Sequence, residues 1–186
     1  MASRTNKNLL QSLKKAIEEN DFDTALSIKE EYPNFQTAFF YAIAKEDDVA
    51  IQLIDNSQRL NISLSETDED KQTPLMLACY SEKPKIATAI LCQAKEQDIA
   101  INAKDENGNT AIYYAIRESE EAAIAMIDNS QRLNLSLSDT NEDKQTALIL
   151  ACNLEKPKIA NAILCQAKEQ DIAINAKDYG GVTAFI

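Results

Sequence analysis

A block of residues occurs twice in this chain, 73 positions apart. Residues 54–113 and 127–186 are identical at 47 of 60 positions, and the run at 89–105 recurs unchanged at 162–178. A chain that repeats at a fixed interval stacks similar units in a row, and the working surface is usually spread along the stack. We therefore expect one elongated domain of 186 residues. The repeats favour a binding function over a catalytic one.

The duplicated block is itself a pair of shorter units. Threonines stand at 37, 73, 110, 146 and 183, and a short apolar segment follows each of them. A threonine hydroxyl suits the residue that caps a helix start, and proline, as at Pro74, suits the first helical turn. A second helix with apolar residues at helical spacing follows a polar turn, as at Ile86, Ile90 and Leu91. The sequence predicts about four such helix pairs.

The segments between helix pairs are polar and carry turn signals. Asn107-Gly108 lies in the segment at 102–109, and Asn-Gly is a strong signal for a tight turn. We predict that these segments form protruding, hairpin-like fingers.

The pattern Asp-x-x-Gly-x-Thr-Ala at 105–111 and 178–184, followed by a helix-turn-helix unit, resembles the ankyrin repeat. The resemblance covers residues 34–186 and implies an all-α solenoid of stacked helix-turn-helix units with hairpin-like fingers. It divides the chain into an N-terminal capping helix pair at 8–33, repeats at 34–70, 71–107, 108–143 and 144–180, and the start of a truncated repeat at 181–186.

Two departures from the family pattern affect the fingers. The family's Thr-Pro-Leu-His box reads Thr-Pro-Leu-Met at 73–76 and Thr-Ala-Leu-Ile at 146–149, so the histidine that ties a repeat to its neighbouring loop is missing. Lys71 and Lys144 replace the finger glycine, and the segments at 56–72 and 129–145 are longer than usual. These departures predict less rigid fingers, two of which are irregular or lack the tight turn.

Charge and composition exclude several partner classes. The formal net charge is −11, which repels phosphate backbones and anionic lipid surfaces, so we expect neither nucleic acid nor membrane as a partner. No apolar run reaches spanning length, and the N-terminus does not read as a secretory leader. The cysteines at 79, 92, 152 and 165 lie in apolar helical patterns and read as reduced thiols. We predict a cytoplasmic protein.

No catalytic pattern emerges from the sequence. The chain has no histidine and three glycines, which removes the commonest general base, the Ser/Cys-His arrangements and a phosphate-cradling loop. The cysteines show no metal-ligand spacing. We therefore predict no enzymatic activity, no metal and no cofactor.

The resemblance implies where a partner protein would bind. Ankyrin proteins usually contact partners through the residues that close the first helix of each repeat and through the finger tips. In this sequence the helix-end candidates are Lys45, Tyr80, Ser81, Arg117, Glu118, Asn153 and Leu154, and the finger candidates are Glu106, Asn107, Asn109 and Tyr179. Tyr80, Arg117 and Leu154 are the expected anchors, because aromatic and arginine side chains dominate binding hot spots.

The differences between the two copies bear on this assignment. Five of the thirteen differences fall on family contact positions: Tyr80/Asn153, Ser81/Leu154, Glu106/Tyr179, Asn107/Gly180 and Asn109/Val182. Adaptation to a partner would produce this distribution. Drift at exposed positions would also produce it, so both interpretations stay open.

The turns between the two helices of each repeat alternate in charge. They are acidic at 46–48, basic at Lys83 and Lys85, acidic at 118–121, and basic at Lys156 and Lys158. Stacked helices lie about 8–10 Å apart, so turns of opposite sign would be neighbours. The pattern predicts an alternating charge ridge that supports stacking, although solubility alone would also explain the charges.

The main functional hypothesis is a module that binds another protein on its concave helix face and fingers. The chain ends in the first turn of a new helix, which predicts an excerpt of a longer protein with an uncapped stacking face. The alternative is the targeting arm of a larger enzyme or of a host-directed bacterial effector, delivered into a host cytosol. Self-association through the uncapped C-terminal face is a third hypothesis.

Overall fold

The computed structural model describes residues 2–32, 35–95, 97–167 and 172–184. These residues form helices and turns, without a β-strand among them. The helices are α1 (Ala2–Glu18), α2 (Phe22–Glu30), α3 (Phe35–Lys45), α4 (Asp47–Asp55), α5 (Pro74–Tyr80), α6 (Pro84–Gln93), α7 (Ala111–Glu118), α8 (Glu120–Asp128), α9 (Ser130–Leu133), α10 (Ala147–Asn153) and α11 (Pro157–Gln166). The last two residues of the expected truncated repeat, 185 and 186, lie outside the described residues.

The helices stack in two rows. The first helix of each pair contacts the first helix of the next, in the order α3, α5, α7, α10, and the second helices follow in the order α4, α6, α8, α11. The pair α1–α2 closes the N-terminal end, where α1 contacts both α3 and α4. The all-α solenoid of stacked helix pairs that the resemblance implies is therefore confirmed.

Small side chains at a fixed position allow the first helices to approach closely. Ala42, Ala78, Ala115 and Ala151 each lie five residues after a repeat threonine, and each is completely buried. A buried alanine loses no side-chain entropy and adds no bulk between two backbones. The aliphatic residues beside it then pack across the gap to form one continuous core along the stack.

The repeat threonines start the helices in different ways. Thr73 and Thr146 accept hydrogen bonds from Met76 N (3.2 Å) and Ile149 N (3.3 Å), which confirms them as N-caps. The prediction is wrong for Thr37, the third residue of α3. Thr110 occupies the N-cap position of α7, but its buried hydroxyl has no hydrogen-bond partner.

The long segments before the fingers of α5 and α10 carry their own apolar residues into the core. Leu60, Ile62 and Leu64 are almost fully buried, as are their counterparts Leu133, Leu135 and Leu137 in the second copy. Alternate residues along each segment therefore pack inward. The extra length anchors these fingers instead of loosening them.

The ridge of helix turns carries ion pairs between neighbouring repeats. Lys83 Nζ lies 2.8 Å from Asp47 Oδ1, and Lys158 Nζ lies 2.8 Å from Glu120 Oε1. A hydrogen bond to Glu120, helped by the charge of that carboxylate, raises the pKa of Lys158. On the N-terminal side, Lys14 of α1 lies 3.9 Å from Asp48. Each basic turn thus pairs with the acidic turn that precedes it.

We predict that Lys83→Glu lowers the free energy of unfolding by up to about 1 kcal/mol, because it removes a half-exposed ion pair and places a carboxylate beside Asp47. Lys85 is exposed and has no ion pair within the described residues, so Lys85→Glu is the matched control. Chemical denaturation at low and high salt measures both. Equal stability of the two variants at low salt would contradict a stacking role for the ridge.

Candidate partner-binding surface

The described fingers have the same type of turn. In each of them an aspartate or asparagine side chain accepts hydrogen bonds that close the turn. In the finger before α7, Asp105 N donates to Asn109 O (3.0 Å), and Asp105 Oδ1 accepts from Asn107 N (2.8 Å) and Asn109 N (2.9 Å). Equivalent contacts from Asp68, Asn141 and Asp178 close the other described fingers. A side chain that bonds to its own turn fixes the backbone locally.

The expectation that Lys71 and Lys144 would break the turn is wrong. Both lysines take the left-handed conformation, with φ of 59° and 58°, close to the 71° of Gly108. Lys71 N donates to Asp68 O (3.2 Å), and Lys144 N donates to Asn141 O (3.0 Å), as glycine does in the short fingers. The left-handed conformation costs a non-glycine residue roughly 1–2 kcal/mol, and the side-chain oxygens of Asp68 and Asn141 offset that cost.

A tyrosine replaces the missing histidine in one repeat. The Tyr113 hydroxyl lies 2.8 Å from the Asp139 carbonyl oxygen and also contacts the Gln145 carbonyl oxygen, at the two ends of the next finger. Burial raises the pKa of Tyr113, so the hydroxyl stays protonated and can donate. The finger at 139–145 is therefore tethered to α7 by Tyr113, which stands at the position of the family's histidine.

Tyr114 ties the preceding finger to α7 in a similar way. Its hydroxyl donates to Asp105 Oδ2 and accepts from Gln72 Nε2 (3.3 Å). Burial and the hydrogen bond to Asp105 raise its pKa to about 12. The Tyr80 ring packs edge-on against the Tyr114 ring, with centroids 5.7 Å apart. Tyr80 is thereby held in place at the end of α5.

Adjacent fingers also contact one another near their tips. Lys71 Nζ lies 4.0 Å from Glu106 Oε1, Tyr179 N donates to Asp143 O (3.1 Å), and Lys144 Nζ lies 4.7 Å from the centre of the Tyr179 ring. An ammonium over an aromatic face is worth about 0.5–1 kcal/mol at an exposed site. The fingers therefore form a connected row.

Two cavities lie between the fingers and the first helices, and together we call them the finger groove. One cavity of about 540 Å³ lies between Phe40 of α3 and the finger at 67–70. A second cavity, of about 210 Å³, lies between the fingers at 107–109 and 141–145. The helix residues that line it are Tyr113, Arg117 and Leu150. Polar amides, two carboxylates and one guanidinium line the second cavity, which can hydrogen-bond a polar side chain of a partner.

The structure brings together some of the predicted site residues and separates others. Asn107, Asn109 and Arg117 line the smaller cavity of the finger groove. Arg117 is exposed, and its Nε lies 3.8 Å from Glu118 Oε1. Lys45 lies apart from them, beside α1 and the acidic turn at 46–48. Three further candidates, Ser81, Glu106 and Asn153, lie at helix or finger ends and are at least partly exposed.

Exposed apolar side chains coincide with the differences between the copies. Within the described residues, the large apolar side chains that remain exposed are those of Tyr80 (56%), Leu154 (40%), Tyr179 (71%) and Val182 (39%). At each of these positions the other copy carries a polar residue, namely Asn153, Ser81, Glu106 and Asn109 respectively. A large apolar side chain that is exposed to solvent does not stabilise the fold. These four residues are therefore candidates for contact with a partner.

Two residues that shape this surface do not stand out in the sequence. Tyr114 supports the finger before α7 and Asn141 lines the smaller cavity, and Tyr114 lies within an apolar helical segment. An aromatic residue with a polar hydroxyl inside a core segment was the available signal, because a buried tyrosine hydroxyl needs a partner.

The described residues offer no sign of a metal or redox centre. They contain no group of three or more Cys, Asp or Glu side chains arranged to hold a metal ion. The four cysteines are free thiols, and burial raises the pKa of Cys79 to about 12. None of the described helices combines the length and the apolar character needed to cross a membrane.

We predict that Tyr113→Phe lowers the free energy of unfolding by about 1 kcal/mol, because the variant loses a buried hydrogen bond without losing ring packing. Amide hydrogen exchange should accelerate at residues 139–145, while exchange in the finger at 105–109 stays unchanged. Unaltered exchange at 139–145 would show that the Tyr113 hydroxyl does not tether that finger.

The two finger glycines with positive φ, Gly108 and Gly181, should respond differently to alanine. A Cβ at Gly108 would lie 3.1 Å from Glu142 Cγ and 3.2 Å from Glu142 N, whereas a Cβ at Gly181 would meet no atom within 4 Å. Both positions have positive φ, which costs alanine roughly 1–2 kcal/mol. Gly108→Ala should therefore lower the melting temperature more than Gly181→Ala. The reverse order would contradict close contact between the finger of Gly108 and the finger of Glu142.

Comparison with known proteins agrees with the observed fold. A family model for ankyrin repeats (three copies) matches residues 1–105. The structure is similar to the crystal structure of the ankyrin repeat domain of Bcl-3, with a TM-score of 0.66 and 18% identity over 93% of this chain and 77% of that one. At 18% sequence identity, the similarity between the two structures shows a common fold and nothing more.

A sequence relative comes from Dictyostelium discoideum. The chain is 25% identical over 132 residues to a probable serine/threonine-protein kinase, and the match covers 71% of this chain but only 15% of the kinase. The similarity therefore concerns a small part of that protein. The stacked helix pairs, the finger turns and the matched family model together show that this chain belongs to the ankyrin-repeat family.

Proposed function

We propose that this chain binds a partner protein through the finger groove and through exposed apolar residues at the ends of the first helices and on the finger at 178–182. Ankyrin repeats are protein-protein interaction modules, and this chain has their fold. The observation that carries the proposal is the set of exposed apolar residues Tyr80, Leu154, Tyr179 and Val182, each of which replaces a polar residue of the other copy. Burial of one such side chain against a partner contributes roughly 1.5–3 kcal/mol.

The surrounding contacts make several of these residues suitable anchors. Tyr80 is held edge-on by Tyr114, and Tyr179 lies beneath Lys144. Side chains that are already ordered lose less entropy when a partner binds, which favours affinity. Arg117 adds a fork of hydrogen-bond donors at the smaller cavity. The remaining candidates, including Lys45, Ser81, Glu118 and Asn153, would lie toward the rim.

We place this binding activity in the cytoplasm, or in a host cytosol if the chain belongs to an effector. Cys92 and Cys165 are exposed free thiols, which suit a reducing compartment. The proposed activity is binding without catalysis, because the ankyrin-repeat fold is an interaction module.

A second candidate function is that of a targeting arm within a larger enzyme or effector. The specific support is the kinase relative, of which this chain corresponds to 15% of the length. In that setting the finger groove would bind the substrate protein, and the chemistry would be performed elsewhere. Activity assays of a longer protein with and without the groove variants below would distinguish the two functions, because only a targeting arm would alter substrate choice.

The duplication itself supplies the variants for the central test. Tyr80→Asn, Leu154→Ser, Tyr179→Glu and Val182→Asn each install the residue that the other copy tolerates at the same structural position. We predict that the combined variant keeps its melting temperature within a few degrees and recovers at least tenfold less partner from extracts of the cells that express the protein, as several exposed anchors are lost.

Thr88→Asn is the matched control, because it is also a swap between copies but lies exposed on the second-helix row. Partner recovery should be the same for this control and the wild type, as measured by quantitative mass spectrometry of the bound fraction. Equal recovery by the combined variant and the control would rule out these four exposed residues as contacts with the partner.

A further inference from the structure

The two cavities of the finger groove occupy equivalent places, two repeats apart. The 73-residue spacing of the duplicated block relates α3 to α7 and the finger at 67–72 to the finger at 140–145. The paired lining residues are Gln36 and Asn109, Phe40 and Tyr113, Asp68 and Asn141, Glu69 and Glu142, and Asp70 and Asp143. Each cavity therefore shows what the other one lacks.

An arginine of the chain itself lines the smaller cavity. Arg117 lies there in the company of Glu142 and Asp143. At the equivalent position of α3 stands Ala44, whose side chain carries no charge and ends at Cβ. The larger cavity has a volume of about 540 Å³ against about 210 Å³ for the smaller one. It thus lacks the guanidinium and has the space to receive one.

The carboxylates of the larger cavity are not neutralised by the described part of the chain. Asp68, Glu69 and Asp70 line this cavity, and none of them forms an ion pair with a described lysine or arginine. The adjacent Lys71 instead places its Nζ 4.0 Å from Glu106 Oε1 on the next finger. Three neighbouring carboxylates in a partly enclosed space repel one another and attract a cation.

Two further groups indicate that the cation belongs to a peptide. Phe40 lines the larger cavity, and an aromatic ring attracts a guanidinium. Gln36 lines it as well, and Gln36 Nε2 is buried without a hydrogen-bond partner. A buried donor without an acceptor is costly, and a backbone carbonyl oxygen of a bound segment would supply the acceptor. An inorganic cation would satisfy neither group.

We propose, on the basis of the partner-binding function proposed above, that the larger cavity binds an arginine side chain of the partner. The guanidinium lies at Glu69 and Asp70, and the stem of the side chain lies against Phe40. Arginine suits this site better than lysine, because its planar fork can bond two carboxylate oxygens and stack on a ring, whereas an ammonium is a compact point charge. The partner is thereby a protein whose binding segment carries arginine.

NMR titration of the protein with N-acetyl-arginine N-methylamide at constant ionic strength tests the proposal. We expect saturable shifts of the backbone amides at 67–70, with a dissociation constant on the order of 1–10 mM for so small a ligand. Amides of α11 should not shift. The corresponding citrulline compound is a neutral isostere of arginine and should bind at least tenfold more weakly. The corresponding lysine compound should bind at least threefold more weakly.

Variants of the cavity and of a distant helix complete the test. Ala44→Arg installs the residue of the second copy at a partly exposed helix position, and it should weaken binding of the arginine compound at least tenfold by occupying the cavity. Glu69→Gln combined with Asp70→Asn should have the same effect by removing charge. Glu121→Gln combined with Asp128→Asn is the matched control, because it changes the net charge equally at two exposed positions of α8. The control should bind like the wild type.

Two kinds of result would overturn the proposal. Equal affinity for the arginine and citrulline compounds, or no saturable shift at 67–70, would exclude recognition of a guanidinium in this cavity. Binding that survives both cavity variants, each folded by circular dichroism, would place the arginine elsewhere. The titration uses no partner protein, so it can fail independently of the partner-binding proposal. Reduced partner recovery by the combined variant at 80, 154, 179 and 182, without arginine binding, would contradict only the present inference.

Discussion

Burial of apolar side chains between neighbouring helix pairs is the interaction on which the rest of this structure depends. A single pair has too little core to be stable, and the stack solves this by placing Ala42, Ala78, Ala115 and Ala151 where the backbones must approach. The continuous core that results positions the fingers at a regular interval. The finger groove exists only because that interval is kept along the stack.

The fingers stay ordered although the chain is poor in glycine. It contains three glycines, and eight described non-glycine residues adopt positive φ, among them Lys71 and Lys144. Each such residue stores strain, so other contacts must offset it. In the finger turns of Lys71 and Lys144, the side-chain oxygens of Asp68 and Asn141 supply those contacts.

In the duplicated block, the core positions and the proposed binding positions are different residues. The core positions are identical in the two copies or exchange one apolar residue for another, as Met76 and Ile149 do. Residues that differ include the exposed apolar side chains at 80, 154, 179 and 182. After a duplication, the residues that stack the helices are retained while exposed positions diverge. The proposed binding surface consists of such diverged positions.

The sequence by itself determined the repeat length, the helix pairs and the positions where the two copies diverge, because these depend on local periodicity and on direct comparison of residues. It could not show that Tyr113 ties the finger 26 residues ahead of it, or that Gln72 reaches Tyr114 across 42 residues. The expectation for Lys71 and Lys144 was also wrong, because the missing glycine suggests a broken turn. The side-chain oxygens that close the turn are evident only in the structure. Those contacts and the finger groove arise only when repeats are packed against one another, so the tertiary structure decided them.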